Sequence, residues 1–586
     1  MTTRSQRLRA RTAAAAVALM MPAALLSSVH GSPAAAQAAP LRTRVAAHLG
    51  RQERLSSGLR TWLAGPPRAA GAVRSALTPT LGLGGTANVD ANDPARDLAA
   101  GQSETAIAAQ RRGTSALVLA GWNDVSGFLA DPTTRAGSHT GIGLSGNGGR
   151  TFHDLTGLPN NNTDQQWFGD PSIASLGDGR HFAVSSLYYP SGRACSDGLP
   201  AYLTLAVSVA SVNAAGTGAT FSAPVQVARP GNACAFATPK QSTEASVLDK
   251  DWLSYDPVSR TLALSYTRFF LPPPFECTPV HCEPPVGGHT GTGQIELLRA
   301  TMPASPTSLT SAAFGRPVVV WKEEPFCPAG TPSSEFTRCG AVNQGAYVAL
   351  APGGDAYLAW ERNIDSDPFG SGDPHVYLHA ARVAALSTQV GAGGPDRPVV
   401  LTKGQPHASA SGGVKSLDTA VIPGYSRGIG QDFPRVAIDK RTRSVVFAWN
   451  DASLHPLGDT WLRAAPYGLG ALGRTARVND DSSYALHFLP AVSVRNDGTI
   501  CTSWYDRRIG GADSTRTDYF ADCRPSATLN RPDVRITTGS TDWAGTGSLG
   551  NPNFGDYTDN ATDGTHTYFT WTDGRLGIAQ PFTAHR

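Results

Sequence analysis

Beyond its first 38 residues, the sequence lacks any run approaching the roughly 18 to 20 uninterrupted apolar residues of a membrane helix, so no membrane span is expected. It also lacks a charge bias. The formal net charge is +3, from 49 Lys and Arg against 46 Asp and Glu. That excess vanishes when the N-terminal segment, with Arg4, Arg7, Arg9 and Arg11 and no acid, is removed. A nearly neutral chain argues against nucleic acid or an anionic membrane as the main partner. Paired Cys-x-x-Cys spacing is missing as well, which points the eight cysteines toward disulfides, with a metal site at Cys277, His281 and Cys282 as the rival. Gly424-Tyr425-Ser426-Arg427-Gly428 fits the Gly-x-Ser-x-Gly elbow but lacks the preceding strand and following helix that the elbow requires, which excludes a serine hydrolase.

What the sequence has is repetition. Seven segments, starting at Ser103, Gly169, Lys250, Gly345, Asp432, Phe488 and Gly555, share a polar residue, a short apolar run, a Gly/Asp/Asn turn and a second apolar run. Most of the second runs end in an aromatic residue. Each reads as a strand, a turn and a second strand. Self-similar hairpins at intervals of tens of residues predict an all-β chain folded as a β-propeller, whose blades bury their faces only against one another. Seven blades are expected, with six as the alternative. Thr86–Asp93 resembles Thr475–Asp481, a fourth-strand segment, while the chain ends one strand short, so the N-terminal strand is expected to close the ring and remove an exposed edge.

The basic start, the apolar run from Ala13 to Leu26 and the small residues around Ala38 read as a signal peptide over residues 1–38, cleaved near Ala38, and hence as a secreted, extracellular protein. Residues 39–85 read as a pro-segment or flexible stalk, and 86–586 as the propeller. Loop insertions at about 190–243 and 271–341 hold six of the eight cysteines. Nearest-neighbour pairing would join Cys195 with Cys234, Cys277 with Cys282, Cys327 with Cys339 and Cys501 with Cys523, although other connectivities are formally open.

Ser145, Asn147, Gly149, Thr151 and Phe152 match the Asp-box, Ser-x-Asp-x-Gly-x-Thr-Trp/Phe, with Asn in the Asp position, and a decayed copy follows from Val209. With the Trp-x-Asp-x-Arg endings, residues 85–586 resemble secreted bacterial BNR/Asp-box repeat proteins of the sialidase superfamily. That resemblance implies a structural hairpin away from the active face, and a site built of three arginines, a Tyr/Glu pair and an Asp acid. The family's first arginine lies in an Arg-Ile-Pro motif, where this chain has Ser103-Glu104-Thr105-Ala106-Ile107.

In an up-and-down blade, the start of the inner strand and the end of the second strand meet on one rim. The alignment therefore gathers Glu104, Asp170, Asp249, Lys250, Asp432, His487, Asp556 and Tyr557 with the second-strand ends Asp124, Arg268, Glu361, Arg362, Asp451, Asp506, Arg507, Asp573 and Arg575. The repeated Trp122, Trp360, Trp449, Trp504 and Trp571 are expected as interblade core rather than sugar platforms, because packing requires identical placement. Asp506-Arg507 and Asp573-x-Arg575 are expected as ion pairs.

Residues that break the pattern of their column are the better functional candidates. Asp170 and Asp556 are the candidate carboxylate pair of a glycoside hydrolase. Tyr557 with Glu244 is the sialidase-like alternative. Lys250, Arg268, Arg362, Arg507, Arg575 and His487 are candidate substrate contacts. No cofactor is required, and Ca²⁺ in the carboxylate ring is an alternative occupant. The expected partner of a monomer is an extracellular glycan or a cell-surface protein, with hydrolysis of an acidic glycan as the specific form. A non-catalytic binding module and a polysaccharide lyase using His487, Tyr557 and an arginine are the alternatives.

Overall fold

The structure is a computed structural model. It describes residues 80–81, 87–96, 101–126, 138–159, 166–190, 202–228, 231–232, 246–270, 276–277, 282–283, 293–322, 342–364, 375–387, 399–403, 420–421, 428–429, 433–455, 457–482, 485–511, 514–546 and 554–586. Glu244, Asp432, residues 1–79 and the cysteines Cys195, Cys234, Cys327 and Cys339 lie outside the described residues, as does most of the Gly-x-Ser-x-Gly segment.

Among the described residues, seven antiparallel sheets of four or more strands follow one another along the chain, beside two two-stranded ladders. Blade 1 comprises Gln102–Arg112, Ser115–Asp124, Thr140–Ser145 and His153–Asp154, and blade 2 Ser172–Ser175, His181–Tyr189, Tyr202–Val212 and Ala219–Phe221. Blade 3 comprises Ser246–Asp256, Thr261–Phe270, Gly293–Thr301 and Val318–Trp321, and blade 4 Val342–Leu350, Ala356–Ile364, His375–Val383 and Val399–Lys403. Blade 5 comprises Arg435–Asp439, Ser444–Asp451, Asp459–Pro466 and Ala476–Arg477, and blade 6 His487–Val494, Ile500–Asp506, Arg516–Arg524 and Val534–Arg535. Blade 7 comprises Asp559–Thr562, Thr567–Asp573 and Gln580–His585, with Ala87–Asp90 as its outer strand. Inner strands neighbour one another from blade 1 through blade 7 and back to blade 1, which closes the ring.

The closing strand runs antiparallel to the last one, with Val89 opposite Thr583 and Asp90 opposite Phe582. The fold is thus a seven-bladed β-propeller closed by its N-terminal strand. Thr80–Leu81 pairs with Ala87–Asp90, so sheet pairing begins inside the segment read as a stalk. The segments read as insertions also carry blade structure: Tyr202–Val212 lies within 190–243, while Gly293–Thr301 and Val318–Trp321 lie within 271–341.

Blades are buried on both faces, which is why their second strands are apolar almost throughout: Ser115–Asp124, Ser444–Asp451 and Ile500–Asp506 are buried along nearly their whole length. Trp122, Trp360, Trp449, Trp504 and Trp571 sit in this packing, at most 1% exposed. Three of them satisfy their indole N–H on the aspartate two residues on: Trp449 to Asp451 at 2.6 Å, Trp504 to Asp506 at 2.9 Å and Trp571 to Asp573 at 2.8 Å. Trp-x-Asp is therefore a core device, because a buried indole needs an acceptor. The arginine partner of Asp506 is Arg508 (Nε to Oδ2, 2.9 Å), not the adjacent Arg507, whereas Arg575 pairs with Asp573 as expected (Nε to Oδ1, 2.9 Å). Side chains on a strand alternate faces, so the i+2 neighbour is the one that shares a face.

The Asp-box turn joins the third and fourth strands of blade 1. Asn147 Oδ1 accepts the Thr151 N–H at 3.0 Å, Ser145 Oγ accepts that of Gly149 at 2.9 Å, and Phe152 packs beside Trp122 and Ala91. The decayed copy in blade 2 keeps the same bond, from the Thr217 N–H to Asn213 Oδ1 at 3.1 Å. Asn147→Ala is expected to lower stability by about 1 kcal/mol through loss of this bond, measured by denaturant unfolding. Activity should not change, since the turn lies on the rim opposite the inner-strand starts. Among the described residues one disulfide is formed, Cys501–Cys523, across facing positions of adjacent strands in blade 6. Cys277 and Cys282 occupy facing register positions of a short backbone ladder.

Candidate active site

Pairing register defines the site. In each blade, the inner-strand residue opposite the one just before the second-strand Trp, or its equivalent, marks a common level. These residues are Ala106, Ser172, Trp252, Tyr347, Arg435, Ala491 and Asp559. Two residues before them stand Glu104, Asp170, Lys250, Gly345, Phe433, Leu489 and Tyr557. At this position the ladder is bulged in blades 1, 3, 4 and 6. In five blades the residue there has a left-handed backbone: φ is 56° at Glu104, 55° at Asp170, 58° at Lys250, 65° at Gly345 and 50° at Leu489. Glycine fits that conformation without strain, as Gly345 shows. A non-glycine residue there costs about 1 kcal/mol or more. Blades 1, 2 and 3 carry this strain with ionisable side chains, and all three are buried.

Those side chains converge. Asn123, at the end of the second strand of blade 1, donates its amide N–H groups to Glu104 Oε2 at 2.7 Å and Asp170 Oδ1 at 3.0 Å, and its Oδ1 accepts the Asp170 N–H. Glu104 Oε1 accepts the Asp556 N–H at 3.2 Å. The Asp556 carboxylate in turn takes a hydrogen bond from Lys250 Nζ, an ion pair in which both side chains are at most 3% exposed. Asp249 Oδ1 accepts the Lys250 N–H at 2.9 Å. Close approach explains two glycines: a Cβ on Gly169 would stand 2.4 Å from Asn123 Oδ1, and one on Gly555 would stand 2.2 Å from Glu104 Cγ.

The common level beneath forms an aromatic floor. The Arg435 guanidinium lies 3.7 Å from the Tyr347 ring centroid and 4.4 Å from that of Trp252, and its Nη2 meets Asp559 Oδ1 at 3.0 Å. Trp252 makes edge contacts with Tyr347 at 4.5 Å and Tyr557 at 5.9 Å, and Phe433 packs against Lys250 and Tyr347.

Electrostatics split the acids. Burial, then the charges of Glu104 and Asp249, push the Asp170 carboxyl well above the usual range, with Lys250 opposing. Burial raises Asp251 to about 7 despite a hydrogen bond from Ser185, and Asp559 to about 6 despite Arg435. Burial works against the charge on Lys250, but Asp556, Asp249, Glu104 and Asp170 outweigh it and hold the ammonium protonated. Tyr557 donates its hydroxyl to Pro171 O at 3.3 Å, and burial with the nearby Asp170 and Glu104 raises its pKa, so its phenol stays protonated.

Of the residues read from the sequence, Glu104, Asp170, Asp249, Lys250, Asp556 and Tyr557 come together here. The candidate contacts Arg268, Arg362, Arg507, Arg575 and His487 lie elsewhere. Arg268 is tied to Glu296 at 2.8 Å and to Ser246 at 3.3 Å. Arg575 is held by Asp573, and the Arg362 guanidinium lies 6.0 Å from the Trp321 ring centroid. Arg507 is buried, with bonds to Thr517 Oγ1 at 3.0 Å and Ser514 O at 2.8 Å, and burial lowers its pKa to about 9. His487 is wedged in blade 6, its Nδ1 on Gly458 O at 2.8 Å and its Nε2 3.0 Å from Asp481 and 3.4 Å from Asp506. Among the described residues no group of three or more His, Cys, Asp or Glu is arranged to hold a metal ion. Asn123, Asp251, Trp252, Tyr347, Phe433, Arg435 and Asp559 were not singled out by sequence reasoning. Alignment on the residue before each second-strand aromatic, rather than on the charged ends, would have exposed the column that holds Trp252, Tyr347, Arg435 and Asp559.

The His487 environment carries a pH prediction. Burial disfavours its charge, but Asp506 and Asp481 outweigh this and raise its pKa from 6.5 to about 9. The folded protein thus keeps this proton to higher pH than the unfolded chain. Its stabilisation is complete below about pH 6.5 and lost as pH rises through about 9. The thermal midpoint should fall across that window, and by less in His487→Gln, when followed by calorimetry.

No family model matches the chain, and no curated protein matches it by sequence. Among solved structures it is similar to the GH93 α-L-arabinofuranosidase of Fusarium graminearum, at 11% identity over 86% of this chain and 97% of that one, with a TM-score of 0.38. It is also similar to an α-L-arabinanase of Penicillium chrysogenum (11% identity, 87% and 98% covered, TM-score 0.36) and to Trypanosoma rangeli sialidase (9%, 71% and 54%, 0.33). These likenesses are distant, and the propeller assignment rests on the strand pairing itself. Among the described residues no helix is long and apolar enough to cross a membrane.

Proposed function

We propose that the chain is an exported glycoside hydrolase of extracellular carbohydrate, with Asp170 as its acid and Asp556 as its nucleophile or base. One observation carries the reading: two carboxyl groups in one buried cluster stand in opposite environments. Burial and neighbouring acids raise the Asp170 pKa well above the usual carboxylate range, while Asp556 is charge-paired with Lys250. Such a split assigns acid and base roles in glycoside cleavage. The proton of Asp170 passes to the glycosidic oxygen as the C–O bond breaks. Water supplies the hydroxyl that ends on the anomeric carbon, and its remaining proton restores the acid.

Charge points to a neutral sugar rather than the acidic glycan expected from the sequence. Glu104, Asp170, Asp249, Asp251, Asp556 and Asp559 outnumber Lys250 and Arg435, and both cations have carboxylate partners. An anionic substrate would meet uncompensated repulsion, whereas Trp252 and its aromatic neighbours suit the apolar face of a sugar ring. His487, held cationic at neutral pH, offers no base for a lyase.

The test is to incubate residues 39–586 with neutral, sialylated and uronic-acid glycans and identify products by mass spectrometry. Released neutral sugar is the expected result. Unsaturated ends would establish a lyase, and glycan binding with no product would establish a binding module.

A further inference from the structure

We propose that Glu104 and Asp170 act as one acid, two carboxyl groups sharing a single proton, with Asn123 as the residue that positions both. The role of this pair in bond cleavage rests on the hydrolase reading above; the shared proton does not.

Three features of the geometry carry it. First, both residues occupy the same strained, left-handed position of adjacent inner strands, at φ 56° and 55°. Gly345 shows that the fold accepts glycine there, so packing does not require a carboxylate at either place, let alone at both. Second, Asn123 is fully committed between them. Its two N–H groups go one to each acid, at 2.7 Å and 3.0 Å, and its oxygen receives the Asp170 N–H. The opposite amide orientation would set its oxygen against two carboxyl groups and its NH₂ against an N–H, so the network fixes it. Gly169 leaves the space that this contact needs, since a Cβ there would strike Asn123 Oδ1.

Third, both acids are at most 1% exposed and lie within hydrogen-bonding reach of each other. Two adjacent carboxylates out of water cannot both stay ionised, and one proton held between them removes the repulsion. Burial and the Glu104 charge raising the Asp170 pKa accord with this. When the proton leaves for a glycosidic oxygen, Asn123 keeps one N–H on each carboxylate and Lys250 stands near both, so the doubly ionised pair is a supported intermediate state. Glu104, through the Asp556 N–H, also ties the acid to the second carboxylate at a fixed spacing.

Infrared difference spectroscopy tests the pair without any substrate. The wild-type minus Asp170→Asn spectrum at neutral pH should contain a protonated-carboxyl band that shifts in D₂O. The wild-type minus Glu104→Gln spectrum should contain the same band, because without its neighbour's charge Asp170 ionises. A band lost in Asp170→Asn but retained in Glu104→Gln would overturn the shared proton and leave Asp170 protonated by burial alone. With a substrate in hand, Glu104→Gln should move the alkaline limb of kcat/KM down by about one pH unit or more. Asn123→Ser removes donors that favour the ionised carboxylates and should move the limb up by a smaller amount, with KM unchanged. An unmoved limb in both variants would overturn the positioning role. Thermal melts establish that each variant is folded. If no glycan is cleaved while the band behaves as expected, the hydrolase reading fails and the shared proton stands.

Discussion

Asp170→Asn should lose about 10² to 10⁴ in kcat on whichever glycan the wild type cleaves, with KM changed little. The amide occupies the space of the carboxyl and can keep contact with Asn123, so what is removed is the transferable proton. The pH dependence has a definite sign. Asp170 must be protonated to act, and its pKa is raised by burial and by Glu104 and Asp249, so wild-type activity should persist above the usual carboxylate range and fall as pH rises through that raised value. Asp556→Asn should cost a comparable factor, and it also leaves the buried Lys250 ammonium without its carboxylate. Steady-state rates of both variants across pH are the check. An Asp170→Asn enzyme with wild-type kcat would remove Asp170 as the acid.

Removal of the closing strand should be the most damaging change to stability. A chain of residues 97–586 loses Ala87–Asp90 and exposes the edge of Gln580–His585, a ready template for pairing with another chain. It also loses contacts with three blades. Ala91 donates its N–H to Pro581 O at 2.8 Å in blade 7 and packs beside Trp122 of blade 1. Asn88, 1% exposed, donates to Ile536 O at 2.9 Å and accepts the Thr538 N–H at 2.7 Å in blade 6. Each buried group left without a partner costs about 1–3 kcal/mol. Compared with residues 39–586, the truncated chain should aggregate or lose its cooperative thermal transition, as followed by circular dichroism and light scattering. Asn88→Ala keeps the strand and should unfold cooperatively, but at lower temperature. Equal midpoints for all three proteins would show that the ring does not depend on its closure.

Much of the fold was legible because its signals are local. The seven hairpins each carry their own alternation of apolar runs and Gly/Asp/Asn turns, and the likeness of Thr86–Asp93 to Thr475–Asp481 announced a strand that pairs at the far end of the chain. The Asp-box could be read even in its decayed copy, because Asn213 and Thr217 keep the four-residue spacing of Asn147 and Thr151 that the turn requires. The burial of Trp449, Trp504 and Trp571 was likewise legible from their repetition. Boundaries were less so. Tyr202–Val212 and Gly293–Thr301 stand inside Pro/Gly-rich stretches that look like insertions, and only cross-strand pairing marks them as third strands.

The site divides along the same line. By itself, the sequence determined which rim gathers charge and that Asp170, Lys250, Asp556 and Tyr557 depart from their columns, because strand alternation and hairpin order follow from local pattern. Tertiary structure alone decided which of those charges meet. A bulge turns Glu104 and Lys250 inward with left-handed backbones, and Asp170 shares that conformation. Asn123 from the neighbouring strand end reaches both acids, and Arg435 crosses the floor to Asp559, more than a hundred positions away. Arg268, Arg507 and Arg575 carry the right chemistry for a sugar acid, yet nearby partners hold them within the blades. Ring closure brings seven chain-distant strand starts to one axis, and which side chains point there depends on bulges and close contacts that no single segment encodes.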